Sequence, residues 1–185
     1  IVFMLFNLVV LGIAAVFNVF FTDVPPVWPA YWWYPVLINL PTLIFIVGLT
    51  FFVMSLIGNQ AVTFIIMLGY IAVTMFFLSH RFYHAFDYIA LNVPMMYSDF
   101  IGFGNLHDII AQRSVFVLAG IGLVAATGLR LRRLPQSRIT VTVLALVTLA
   151  SFAGAGYTGY GRISRQHGDV ALRQRILELN RDAVR

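Results

Sequence analysis

Five apolar runs, separated by shorter polar or proline-rich stretches, dominate the pattern of hydrophobic and polar positions along the chain. The runs lie at about 1–21, 36–57, 60–78, 114–129 and 139–157. A helix needs roughly 20 apolar residues to cross the hydrocarbon core of a bilayer, and these runs approach that length. The pattern therefore predicts an all-α, polytopic membrane protein with about five transmembrane helices.

The connections between the runs differ in character. The stretch 22–35 contains four prolines and a cluster of aromatic residues, Trp28, Tyr31, Trp32, Trp33 and Tyr34, whose rings suit a membrane surface. Gly58 and Asn59 separate the second run from the third, which predicts a tight turn and an antiparallel helical hairpin.

The stretch 80–113 is the longest connection, and it mixes apolar with polar residues without a clean span. It contains Pro94, Gly102 and Gly104, which interrupt regular structure. We therefore expect a short helical segment there that lies in, or dips into, the membrane interface before the fourth span. Pro94, Gly102 and Gly104 are the residues expected to shape this segment as a lid or gate.

A basic island at residues 130–138 fixes the predicted orientation. Arg130, Arg132, Arg133 and Arg138 lie between the fourth and fifth runs, and short arginine-rich loops are retained on the cytoplasmic side. Counting crossings from this island places residue 1 and the Asn59 turn inside, and the aromatic loop, the 80–113 segment and the C-terminal tail outside.

The C-terminal tail carries six arginines, which the same rule would keep inside. The conflict disappears if the tail leads into a large external domain, and the alternative is that the fifth run does not cross. Leu172, Ile176, Leu179 and Ala183 recur at helical spacing. We therefore divide the chain into a transmembrane region, 1–157, and an amphipathic linker helix, 158–185, that leads out of the membrane. Because Ile1 already lies within an apolar run, we expect the chain to be an internal piece of a longer protein.

Composition agrees with a membrane protein and narrows the possible chemistry. Hydrophobic residues make up 61% of the chain and charged residues 10%, which is too little charge to cover a soluble domain. The net charge of +5 comes from arginines in loops and the tail, so orientation and anionic lipid explain it and no nucleic-acid partner is expected. The chain has no cysteine, which excludes disulfides and thiolate metal sites.

Ionisable residues offer few catalytic candidates. His80 and His84 are four residues apart and could hold a metal or haem, but a metal site needs three or four ligands. Polar residues of the 80–113 segment, Asp87, Asp99, His107 and Asp108, are expected to have solvated or structural roles. Polar residues inside the spans, namely Asn7, Asn18, Asn39, Thr42, Thr50, Ser55, Thr63 and Thr74, either bridge helices or face a transport path. The chain has neither a Walker A motif nor a nucleophile–base–acid set, so we expect no catalytic residues.

The order of features from the second span onward resembles the membrane half of type-2 ABC exporters, the ABC-2 permease family. The resemblance lies in six short sequence segments, LPTLIF (40–45), NQAVTF (59–64), LGY (68–70), FDYIALNVP (86–94), YSDFIGFG (97–104) and RRLPQS (132–137). It covers roughly 40–137. These segments resemble those of a bacterial subgroup of the family. In that subgroup the permease is followed by one more span and by an extracytoplasmic domain similar to M1-type zinc aminopeptidases.

The resemblance implies a permease of the bacterial cytoplasmic membrane with a separate ABC ATPase subunit, which binds ATP and Mg²⁺, and a second permease copy. No cofactor is expected in this chain itself. The coupling segment and the His-Glu-x-x-His zinc motif of that subgroup are absent from the sequence. Two alternatives remain at this point: a membrane metal or haem redox protein using His80 and His84, and a non-transporting anchor or assembly subunit.

Overall fold

The computed structural model describes residues 2–22, 28–78, 87–90, 97–98, 102–131 and 137–183. Its α-helices are α1 Val2–Phe21, α2 Trp28–Tyr34, α3 Leu40–Ile57, α4 Gln60–Val73, α5 Leu106–Arg130 and α6 Arg138–Ala183. Two π-helical segments, Pro35–Asn39 and Thr74–Leu78, follow α2 and α4. Two-residue strands, β1 Tyr97–Ser98 and β2 Gly102–Phe103, pair antiparallel, with Tyr97 opposite Phe103. The all-α prediction is confirmed, with this short pair as the departure from it.

Within the part of the chain that the structure describes, four helical stretches are long and apolar enough to cross a membrane, as judged by length and composition. They are Tyr31–Ile57, Gln60–Leu78, Leu106–Arg130 and Arg138–Arg165. The first predicted run forms α1, whose apolar stretch Leu5–Phe21 is shorter. The chain is therefore a polytopic membrane protein.

The second span begins earlier than the sequence pattern predicted, because most of the aromatic cluster is helical. The helix starts at Trp28, and Pro29 lies in its first turn, where a missing N–H costs little. Pro41 lacks the N–H that would bind the carbonyl four residues back, and its ring crowds that carbonyl. The chain accommodates this with the π-helical segment Pro35–Asn39, where the Leu40 N–H donates to the Pro35 carbonyl.

The turn between α3 and α4 is as tight as predicted. Gly58 ends α3 with a φ of +69°, and its N–H donates to the Met54 carbonyl. The Asn59 side chain then caps α4 by accepting from the N–H groups of Ala61 and Val62. Gly58 adopts the left-handed conformation that ends α3, and Asn59 caps the start of α4, so these two residues form the whole turn of the hairpin.

The fourth span also begins earlier than predicted. α5 starts at Leu106, eight residues before the expected start at 114. The described parts of the 80–113 segment before Leu106 form a turn, Asp87–Ala90, and the β1–β2 pair, rather than a helix. The predicted start was too late because the polar residues Gln112 and Arg113 suggested a solvent-exposed connection. In the structure both side chains are buried within the protein.

Helix α6 is continuous through the predicted boundary between residues 157 and 158. It packs antiparallel along α5, with Gly122 against Ser151, Gly154 against Leu118 and Gly128 against Leu144. At 1.5 Å per residue, the part after Arg162 extends for roughly 30 Å beyond the start of α5. The amphipathic tail is thus the end of a spanning helix.

Candidate functional site: a buried turn at one end of the bundle

The turn Asp87–Ala90, here called the Tyr88 turn, is buried although it belongs to a connection. Asp87 is 3% exposed and Tyr88 is 2% exposed. The Ala90 N–H donates to the Asp87 carbonyl at 3.3 Å, and Ala90 has a φ of +66°. A residue with a Cβ is unfavourable in this left-handed conformation, so contacts around the turn must hold it.

Arg113 of α5 provides the strongest of these contacts. Its Nη1 donates to the Tyr88 carbonyl at 2.7 Å and its Nη2 donates to the Asp87 carbonyl at 2.9 Å. Arg113 is itself 2% exposed, and its guanidinium also lies over the Phe116 ring at 5.5 Å. A planar guanidinium presents its donors as a fork, so one side chain binds two successive carbonyls of the turn.

Thr42 of α3 reaches the same turn from another side. Its hydroxyl lies 2.7 Å from the Tyr88 carbonyl oxygen and 2.8 Å from the Ile38 carbonyl oxygen of its own helix. A hydroxyl has one proton, which these two acceptors share. The turn is therefore connected directly to α3 as well as to α5.

The Tyr88 ring fills the space between three helices. It lies 5.8 Å from the Phe45 ring of α3 and 5.7 Å from the Tyr70 ring of α4. Phe116 of α5 meets Phe45 edge-on at 5.4 Å. Such tilted and edge-to-face pairs are the favoured aromatic geometries, so this cluster stabilises the inserted position of Tyr88.

The Tyr88 side chain lies near Thr74, the residue that follows α4. The Thr74 hydroxyl donates to the helix carbonyls of Tyr70 and Ile71. Burial raises the pKa of Tyr88, the neighbouring side chain of Thr74 opposes this rise, and nearby Asp87 adds to it. Tyr88 is consequently neutral at physiological pH.

Two acids and two arginines surround the turn. Arg113 interacts electrostatically with Asp87 and with Arg162 of α6, and Arg162 also interacts with Asp108 and Asp87. The formal charges of these four groups sum to zero, which suits a partly buried cluster. The group joins α6 to the same end of the bundle.

The opposite end of the bundle carries the basic island. The Arg130 Nε donates to the Ser55 carbonyl at 3.0 Å, so the end of α5 lies beside the end of α3 and the Gly58–Asn59 turn. We call this the Arg130 end, and the other the Tyr88 end. Arg138 is exposed at the start of α6, while Arg132 and Arg133 lie outside the described residues.

The sequence-predicted gate residues are only partly visible. Gly102 lies in β2, and Gly104 is exposed in the turn before α5, with open space around it. Pro94, His80 and His84 lie outside the described residues. Among the residues that the structure does describe, no three His, Asp or Glu side chains come together as metal ligands.

Sequence reasoning named Thr42, Asp87 and Thr74 but missed Tyr88 and Arg113, which organise the site. The sequence contained one signal for Arg113, which directly precedes a long apolar run. A charged residue that is buried at such a position needs a specific binding partner. For Asn7 and Asn39, the sequence left open whether they bridge helices or face a transport path; in the structure the Asn39 Nδ2 donates to the Asn7 Oδ1 of α1 at 2.7 Å.

The arrangement can hold a connecting segment against the ends of four helices, α3, α4, α5 and α6. Its chemistry is non-covalent, since it consists of carbonyl, hydroxyl, guanidinium and ring contacts. Comparison with known proteins found no matching family model, no similar curated protein and no similar solved structure.

Proposed function

We propose that this chain is the transmembrane permease component of an ABC-type exporter in the bacterial cytoplasmic membrane. A separate ATPase subunit would bind ATP and Mg²⁺ and hydrolyse the nucleotide, and a second permease copy would complete the path. The chain's own role would be to alternate between inward-open and outward-open arrangements. The resemblance of residues 40–137 to ABC-2 permeases is the starting point of this proposal.

The arrangement of the helix ends supports the proposed topology. The contact between Arg130 and Ser55 brings the basic island and the Gly58–Asn59 turn to one end. Retention of positive charge makes that end cytoplasmic, where an ATPase would bind. The Tyr88 end then faces the outside, and α6 leads away from the membrane there toward the extracytoplasmic domain that the resemblance implies.

The observation that carries the proposal is the buried Tyr88 turn. An exporter must close its far side while the cytoplasmic side is open, and a closure needs a segment that several helices hold at once. The Tyr88 turn receives contacts from Thr42 of α3, Tyr70 of α4 and Arg113 of α5. A plain membrane anchor has no need for a buried arginine that binds a connecting segment.

Co-purification tests the proposal directly. The full-length protein, tagged in its native host and extracted in mild detergent, is expected to bring down an ABC ATPase in near-stoichiometric amount. The purified complex should hydrolyse ATP, and vanadate should abolish the activity. The matched control is an unrelated tagged multi-spanning protein of the same membrane.

Two other outcomes would contradict the proposal. Purification of the full-length protein without any nucleotide-binding subunit would favour the anchor or assembly role. A visible absorption band or a bound metal that is lost on substitution of His80 and His84 would favour the redox alternative.

A further inference from the structure

Helices α3, α5 and α6 form one tightly connected body. A Cβ placed on Gly48 would lie 2.5 Å from the Gly120 carbonyl oxygen, so the backbones of α3 and α5 touch at mid-height. Arg130 joins the same two helices at one end, and Thr42 and Arg113 meet on the Tyr88 carbonyl at the other. Along its length, α5 also packs against α6 through glycines.

Helix α4 is attached to this body in a different way. A Cβ on Gly69, in its middle, would meet no heavy atom within 4 Å. Large apolar side chains along α4 and the π-helical segment after it are exposed, namely Phe64, Ile65, Ile66, Leu68, Val73, Phe76 and Phe77. Near the Arg130 end, Thr63 of α4 lies 3.5 Å from the Met54 sulfur. Near the Tyr88 end, the Tyr70 ring meets the Tyr88 ring at 5.7 Å and the Phe45 ring at 6.2 Å.

The connection at the Arg130 end is suited to act as a pivot. Only Gly58 and Asn59 separate α3 from α4, and Gly58 adopts a left-handed conformation. Small changes in φ and ψ at such a two-residue turn reorient a helix without breaking its own hydrogen bonds. The α-helical geometry of α4 ends at Val73 and gives way to the π-helical segment Thr74–Leu78.

We infer that α4 rotates as a rigid helix about the Gly58–Asn59 turn. In the observed structure, the inserted Tyr88 side chain holds the far end of α4 against the α3–α5–α6 body. With Tyr88 inserted, its ring pairs with Tyr70 of α4 and with Phe45 of α3, which adds to the direct Tyr70–Phe45 pair, and its carbonyl binds Arg113. With Tyr88 withdrawn, the outer part of α4 loses its contacts with this ring and moves away. The use of this motion as an outward gate rests on the proposed function, whereas the motion itself does not.

Spin-label distances test the motion, and the chain has no natural cysteine to remove. The reporter pair is Phe76→Cys with Ile110→Cys, two exposed positions near the Tyr88 end, the first in the π-helical segment that follows α4 and the second on α5. The control pair is Val124→Cys with Leu149→Cys, exposed positions on α5 and α6 within the body. Distances are measured by double electron–electron resonance on the full-length protein in lipid nanodiscs.

The Tyr88 contacts are weakened in two steps. Tyr88→Leu keeps an apolar side chain but removes the ring pairs with Tyr70 and Phe45, so the population with a long reporter distance should rise about fivefold. Tyr70→Leu removes the Tyr70–Tyr88 pair from the α4 side and should act alike. Tyr88→Ala removes the whole ring volume and should raise that population by about a hundredfold, or to saturation. The control distance should stay unchanged in Tyr88→Leu and Tyr70→Leu.

An unchanged reporter distance in both Tyr88→Leu and Tyr88→Ala would overturn the inference. So would equal broadening of reporter and control distances in Tyr88→Leu, since that means a generally loosened bundle. If both pairs broaden in Tyr88→Ala alone, an unchanged reporter distance in Tyr88→Leu and Tyr70→Leu would overturn the inference. Because no ATPase or nucleotide is present, failure here is distinguishable from failure of the co-purification test.

Discussion

Gly48 and Gly120 lie backbone to backbone where α3 crosses α5. A Cβ on Gly48 would be 2.5 Å from the Gly120 carbonyl oxygen, and a Cβ on Gly120 would be 2.7 Å from the Ile44 carbonyl oxygen. Helices in lipid associate through close packing of this kind, because no hydrophobic driving force acts between them. The parallel pair α3–α5 is therefore the central contact of the fold.

We expect Gly48→Ala and Gly120→Ala each to lower the free energy of unfolding by about 1–3 kcal/mol, because a methyl group must push two backbones apart. Gly69→Ala is the matched control: its Cβ would meet open space, and alanine favours a helix by about 1 kcal/mol over glycine. Thermal unfolding in one detergent measures all three. Equal stability of the Gly48 and Gly69 variants would contradict the close crossing.

A second prediction concerns the fork of Arg113. Arg113→Met removes one charged donor from each of two buried carbonyls, leaving them with the Ala90 N–H and the Thr42 hydroxyl, and each lost hydrogen bond to a charged group costs about 1.5–3 kcal/mol. Arg113→Lys keeps the charge but cannot bind both carbonyls in the same plane, so it should fall between wild type and Arg113→Met. Arg175→Met, at an exposed position on α6, is the control.

Chymotrypsin cleavage after Tyr88, followed by mass spectrometry, reads out the second prediction locally. Cleavage should be slow in wild type and in Arg175→Met, and fast in Arg113→Met. Equal cleavage rates in the Arg113 and Arg175 variants would show that the guanidinium does not hold the turn.

The spans and the hairpin could be predicted from sequence because their signals are local. Apolar runs predict helices, and Gly58 followed by Asn59 predicts the end of one helix and the cap of the next. The Tyr88 turn could not be predicted, since Arg113 is 25 residues from Tyr88 and Thr42 is 46 residues from it. Polar residues near an apolar run look solvated from sequence alone, although a protein interior can satisfy them.

The predicted start of the second span was wrong for a related reason. The residues from Trp28 to Tyr34 have the composition of an interfacial loop, and prolines flank them. Proline is compatible with the first turn of a helix and with a π-helical register change. The structure uses both, so the helix begins at Trp28 instead of near Val36.

A third prediction concerns which positions share a side of the membrane. Gln60→Cys and Ser137→Cys are exposed positions at the Arg130 end, and Gly104→Cys is exposed at the Tyr88 end. A membrane-impermeant maleimide should label the first two from the same side, the cytoplasmic side under the proposed function, and Gly104→Cys from the other. Permeabilised cells, in which all three should react, provide the control. Labelling of Gln60→Cys and Gly104→Cys from one side would contradict the antiparallel course of α3 and α5 relative to α4.

The raised pKa of Tyr88 gives a pH prediction. An unfolded tyrosine ionises near about 10, and burial, the largest cause, moves the pKa of Tyr88 higher in the fold. The fold therefore disfavours tyrosinate at this position. The stability that neutral Tyr88 contributes is complete below about pH 10 and is lost as pH rises from there through the folded pKa.

The measurement for this pH prediction is the ultraviolet absorbance of tyrosinate. The chain has eight tyrosines, so the signal of Tyr88 is obtained as the titration of wild type minus that of Tyr88→Phe. The difference should have its midpoint above about 10. A midpoint at or below that value would mean that the ring is solvated and the turn is not buried.

The last prediction concerns the continuity of α6 beyond the membrane. Ser164 and Glu178 are exposed on either side of Gly168, and 14 residues of unbroken helix separate two Cα atoms by about 21 Å. Spin labels at Ser164→Cys and Glu178→Cys should give one narrow distance distribution. Gly168→Ala should leave it unchanged because open space surrounds that Cβ, whereas Gly168→Pro should broaden or shift it by breaking the helix. A broad distribution in the parent pair would mean that α6 ends near the membrane. A narrow one centred near about 21 Å means that α6 continues as one rigid helix from Ser164 to Glu178.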